Sequence, residues 1–190
     1  MNALRARFRA ARVEDGFTLV ELMMAIAIIA IVIGPVTMGV IVGLRTSDET
    51  ASRLAGSNDA QLLSVWLPGD IQSAGNQSGD VVATPTANTE CSGINNALRL
   101  KWREIQGSTT TYVAAYAVSA NGTGVWRLIR YYCVNGGTAT QHVVARNLSS
   151  GTAASVTVSG TKVSMTVTEK STPTDPTSYT FTVSGNRRTP

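Results

Sequence analysis

Between Leu22 and Leu44 the chain carries no charged side chain, an uninterrupted run of 23 mostly apolar residues. As an α-helix at 1.5 Å per residue this run would extend about 35 Å, more than the roughly 30 Å of bilayer hydrocarbon. It is therefore long enough to span a membrane, and that constrains everything around it. A secretory signal peptide would have an apolar region of about 7–15 residues followed by a small-x-small cleavage site. Here Leu44 is followed by Arg45-Thr46-Ser47-Asp48-Glu49, so the segment is expected to stay with the protein. Arg5, Arg7, Arg9 and Arg12 precede the run. That excess of cations orients the N-terminus to the cytoplasm and everything after Leu44 to the outside.

Residues 45–75 continue as a helical pattern. Ala51, Leu54, Ala55, Leu62, Val65 and Trp66 recur at steps of three, four and seven, and Asp48, Glu49, Arg53, Asn58, Asp59 and Gln61 fill the other side; this spacing predicts an amphipathic helix with the apolar set inward. Gly34-Pro35 and Pro68-Gly69 are points of weakness, because proline has no N–H for the helix ladder. The expectation is one long helix, kinked at Gly34 and Pro35 and again near Pro68, with Asp70 to Ala74 as its last turn before Gly75. Residues 76–96 are rich in Asn, Gly, Ser, Thr and Pro and read as loop. Strands are expected at 97–105, 111–119, 125–134, 141–147, 154–159, 162–168 and 178–184, where β-branched and aromatic residues concentrate. Asn121-Gly122, Asn135-Gly136-Gly137, Ser159-Gly160 and Pro173 to Pro176 supply the turns between them. Val156 and Val158, then Val163, Met165 and Val167, alternate with polar residues on either side of Gly160, which predicts a hairpin with one buried face. The fold class that results is α+β: a helix laid on an antiparallel sheet.

Of the net charge of +4, the first 16 residues contribute half, leaving twelve cationic against ten anionic side chains beyond Gly16. No clustered basic face follows, since Arg127 with Arg130, Lys101 with Arg103 and Arg187 with Arg188 are the densest pairs; nucleic acid is not an expected partner. Cys91 and Cys133 lie far apart with no CxxC spacing, and His142 is the sole histidine. A tetrahedral Cys/His zinc site would lack a ligand, and no metal is assigned. The two cysteines are either a disulfide, favoured outside the cytoplasm, or two separate buried thiols.

The most specific stretch is Gly16-Phe17-Thr18-Leu19-Val20-Glu21-Leu22 and the run Met23 to Ile31 behind it. A basic leader ending in Gly, an aromatic residue next, a Glu five residues into the mature chain and an apolar run coincide at fixed spacing. This resembles the N-terminus of type IV prepilins and of the pseudopilins of type II secretion systems. The resemblance implies that residues 1–16 are a leader, removed between Gly16 and Phe17 by a membrane-embedded prepilin peptidase, with N-methylation of Phe17. It implies that residues 17–44 form the membrane and filament-core helix, 45–75 its amphipathic second half, and 76–190 an extracytoplasmic head. It also implies membrane lipid before assembly, then other pilin or pseudopilin subunits and an inner-membrane assembly platform as partners. The location implied is the cytoplasmic membrane and then a cell-surface or periplasmic filament. Glu21 would pair with the Phe17 amine of a neighbouring subunit; the alternative is a carboxylate at the interface, reaching into the headgroups. Gly39 and Gly43 have a spacing that permits close helix approach. Leu62 to Ala74 and the segments around Tyr116, Trp126 and Val144 are further similar to minor pseudopilins of the J type and related minor pilins.

No catalytic constellation is evident. There is no G-x-S-x-G elbow, His142 falls in an expected strand, and Asp175 between Pro173 and Pro176 reads as a turn residue rather than a calcium ligand. No cofactor is expected, and the chain does not read as an enzyme. A structural subunit, minor within its filament, is the leading reading. The alternative is a binding module at a filament tip, for DNA uptake or adhesion, for which Trp102, Trp126, Arg127 and Arg130 are the candidate side chains.

Overall fold

The computed structural model describes residues 16–84, 86–88, 90–91, 94–122, 124–170 and 178–188. Arg5 to Arg12 and the turn from Pro173 to Pro176 lie outside the described residues. One helix, α1, covers Leu19–Ser73. By its internal contacts the chain forms two units, residues 1–47 and residues 48–190.

In the first unit, Leu19–Ser47 is a single stretch with a mean hydropathy of 2.7 and no buried side chain. It is long and apolar enough to cross a membrane. Ile28, Ile31, Met38 and their neighbours are all exposed. Helical assignment continues through Gly34 and Pro35. The missing N–H of Pro35 leaves the Ile31 carbonyl without its usual donor, and the Thr37 hydroxyl donates to the Ile33 carbonyl at 2.8 Å.

In the second unit, the remainder of α1 packs on an antiparallel sheet built from β1 (Val81–Val82), β4 (Leu98–Gln106), β5 (Ser108–Asn121), β6 (Val125–Val134), β7 (Thr140–Leu148), β8 (Ala154–Ser159), β9 (Lys162–Lys170) and β10 (Ser178–Asn186). Its order is β1-β4-β5-β6-β7-β9-β10, and β8 also pairs with β9. β7 meets β9 at one register pair, Leu148 with Glu169, whereas β8 pairs along Ala154–Ser159. The two strands thus share one side of β9. The seven expected strands are all present, within three residues at each end. β4 turns directly into β5 at Gly107 and β8 into β9 at Gly160, both with positive φ, a conformation glycine adopts without a Cβ clash.

Two expectations need correcting. Residues 76–96 are not all loop: besides β1 they contain β2 (Thr86–Asn88) and β3 (Ile94–Asn96), which form a separate two-stranded sheet. The inward face of α1 is also not the predicted one. The buried positions are Gly56, Asp59, Leu63, Leu67, Asp70 and Ile71, with Ala74 buried just beyond the helix end, while Leu54 and Val65 are 66% and 71% exposed. Apolar residues occur on both sides of this helix, so spacing alone does not select a face. Sheet contacts do: Leu63, Leu67 and Ile71 are fully buried against Leu98, Leu100, Tyr116, Leu128, Met165 and Val167. Each such aliphatic side chain contributes about 1.5–3 kcal/mol by leaving water. Gly185 of β10 permits the approach, since a Cβ there would lie 3.1 Å from the Pro68 Cα and 3.2 Å from Ile71.

Alternation along β5 and β6 sends the other set of side chains to the far face of the sheet, where Val113, Ala115, Ala117 and Tyr131 gather around Cys91 and Cys133. These cysteines form a disulfide, with Cα atoms 5.7 Å apart. It ties the segment between β2 and β3 to β6.

Candidate functional site

The N-terminal end of α1 concentrates the residues singled out by sequence. Gly16 to Thr18 precede the helix, and Phe17 is 83% exposed. Thr18 and Glu21 make a reciprocal set of bonds. The Glu21 N–H donates to the Thr18 hydroxyl oxygen at 3.2 Å, and Glu21 Oε2 accepts from the Thr18 N–H at 3.1 Å and from its hydroxyl at 3.2 Å. The Leu22 N–H then closes the first turn on the Thr18 carbonyl at 3.1 Å. This is a capping box, a Thr at the N-cap and a Glu three residues on, each satisfying a donor that a helix start leaves unpaired. The acid also sits at the positive end of the helix dipole.

The partners expected of Glu21 from the sequence are a neighbouring amine or the headgroups. Thr18-x-x-Glu21 before an apolar run is itself the signal for a third arrangement, a carboxylate bonded within its own chain. Both Thr18 donors go to Oε2. Hydrolysis of the Gly16–Phe17 bond would create an ammonium at Phe17, one residue ahead of the cap. Gly16 has open space around it, with nothing within 4 Å of a Cβ placed there.

A second polar centre lies in the head. Asp70, on the last turns of α1, accepts from Arg130 Nε at 2.7 Å and Nη2 at 2.7 Å and from the Tyr116 hydroxyl at 2.6 Å. Asp70 and Arg130 are buried and Tyr116 fully so. Such a bidentate pair is strong once formed and costly to break, because the survivor is a buried unpaired charge. Burial and then the Asp70 carboxylate push the Tyr116 hydroxyl well above the usual tyrosine range. Burial works against the Arg130 charge, but the bonds and charge of Asp70 outweigh it and hold the guanidinium above its ordinary value. The guanidinium lies 4.6 Å from the Trp66 ring centre and 5.0 Å from that of Tyr132, and Trp66 stacks on His142 at 5.4 Å.

This removes Arg130 from the candidates for an exposed binding patch. Lys101 and Arg103 are likewise engaged, by Glu90 and Asp80, and Arg99 by Glu90. Trp102 stacks on Tyr112 in partial burial, and Trp126 packs on Gly151. In the sequence, Asp59 falls on the polar side of α1, and nothing connects it, Asp70 or Glu169 to partners. Those partners are between 46 and 110 residues away, and no local pattern announces them.

An exposed apolar helix, long enough to cross a membrane, with a capped acid at its start and an α+β head after it, suits a membrane-anchored protein. Residues 12–37 match the family model described as the prokaryotic N-terminal methylation motif, which marks the type IV pilin and pseudopilin family. No curated protein and no solved structure matches the chain significantly.

Proposed function

We propose that the chain is a structural subunit of a type IV pilus or a type II secretion pseudopilus, assembled through α1 after prepilin peptidase cuts between Gly16 and Phe17. The observation that carries this reading is the methylation motif at residues 12–37, set directly on a membrane-length helix with no buried side chain. An apolar helix exposed over 29 residues requires lipid or other helices around it. A precursor subunit meets first one and then the other. Phe17 is the residue to be methylated, and the Glu21 carboxylate is the acceptor offered to the Phe17 amine of a neighbouring subunit. The N-terminus faces the cytoplasm and the head lies outside, the side on which the Cys91–Cys133 disulfide is favoured. The likeness of Leu62 to Ala74 and the following strands to J-type minor pseudopilins favours a minor subunit.

The test is mass spectrometry of the protein taken from the membranes of its own host. A mature chain beginning at an N-methylated Phe17 is expected. A chain that keeps residues 1–16 in cells with an active peptidase would remove both the processing and the role given to Glu21.

A further inference from the structure

Asp59 and Glu169 are two carboxyl groups buried against each other between the helix and the sheet. Asp59, from α1, is 4% exposed and Glu169, from β9, is 5% exposed. Gly56 and Asp59 are three residues apart on α1, and a Cβ at Gly56 would meet Glu169 Oε2, so the two buried carboxyl groups are near neighbours that act on one another. An ionised carboxylate only accepts, so the two can bond each other only while a proton sits on the pair. Asp59 Oδ2 also accepts the backbone N–H of Arg146 in β7 at 2.6 Å, whereas Glu169 Oε1 has no hydrogen-bond partner. Gly56, one turn earlier on α1, brings the helix close enough that a Cβ there would lie 3.2 Å from Glu169 Oε2 and 2.8 Å from the Tyr179 ring.

We propose that Asp59 and Glu169 form a proton-dependent clasp, fastening the N-terminal part of the docked helix to the sheet and releasing it when the shared proton is lost. The described groups that face the pair are few. From β7, Arg146 presents its N–H and attracts Asp59 through its guanidinium; from β10, Tyr179 lies over Gly56; from β9, Lys170 follows Glu169 but alternates to the opposite face. No described cation bonds Glu169. Three turns further along α1 the helix is held differently, by Asp70 and Arg130, whose opposite charges need no shared proton. The two fastenings therefore respond differently to pH.

Burial, and then the neighbouring Asp59 charge, push Glu169 up to about 8, and burial raises Asp59 as well. Both shifts have the same sign. The pair's contribution is complete below the ordinary carboxylate range and is lost as pH rises through about 8.

The test is amide hydrogen exchange of the full chain in detergent micelles at about pH 5.5 and about pH 9, with labelling times scaled for the intrinsic pH dependence. In the wild type, amides across residues 53–62 should exchange about tenfold faster at the higher pH, and those across 67–73 should not change. Glu169→Gln, whose amide donates at every pH, should remove the difference, and Asp59→Asn should do the same by the reciprocal bond. Equal protection at both pH values in the wild type, or an undiminished response in both variants, overturns the proposal. So does loosening that spreads equally to residues 67–73.

Discussion

Asp70 illustrates how a single side chain can decide where a helix sits. It is charged, so its burial is tolerable only because Arg130 and Tyr116 fill its oxygens. Arg130→Met should cost about 3–5 kcal/mol in urea denaturation of the full chain in detergent, since it strands Asp70. Pairing it with Asp70→Leu should recover most of that loss, because two apolar groups leave no unpaired charge. If the double variant is no better than the single, the pair has a worth of its own beyond relieving a buried charge. Thr18 acts at the same scale. Thr18→Val keeps the shape but removes the hydroxyl that Glu21 both bonds and is bonded by. It should lower helix-start stability by about 1 kcal/mol, read as faster exchange of amides 20–22. Unchanged exchange there would mean that the capping box does not operate.

Among the elements, the helix and the strands differ in what local sequence reveals. β9 was legible because Val163, Met165 and Val167 alternate with polar residues and the sheet has one buried face. The face of α1 was not, because Leu54, Val65 and Trp66 make an apolar stripe as good as the one the sheet selects. Asp59 and Asp70 occupy inward positions that any hydropathy count assigns to solvent. β2 and β3 were missed for another reason: they are three residues each, too short for a period, and lie beside a disulfide rather than on a hydrophobic run. The N-terminal motif was visible in sequence because its residues are contiguous and match the methylation motif over residues 12–37, whereas the bonds between Thr18 and Glu21 went unseen. Helix packing gives a paired prediction. Gly185→Ala crowds the Pro68 backbone and should destabilise by about 1–3 kcal/mol. Gly69→Ala, with open space around it, should stabilise α1 by up to about 1 kcal/mol. Thermal melts of the two variants that moved in the same direction would refute this packing.

For the molecule as a whole, the disulfide and the helix work on opposite faces of one sheet. The Cys91–Cys133 bond closes a loop across a separation of 42 residues, and by chain entropy contributes about 4 kcal/mol. Reduction, or Cys91→Ser with Cys133→Ser, should lower head stability by about 2–5 kcal/mol, seen as a lower urea midpoint. Loss of the β2–β3 side of the sheet should precede loss of α1 from the other, checked by limited proteolysis between Thr84 and Asn96. Cleavage first at the helix would argue against independent faces. At the other end of the chain, the Thr18–Glu21 box holds a flexible acid in one posture through bonds to one of its oxygens. The conformational freedom of that side chain is surrendered in folding, not in association. On the proposed assembly, an incoming ammonium would meet a stationary target, and each joining subunit would carry its own aiming device rather than borrow one from the growing end.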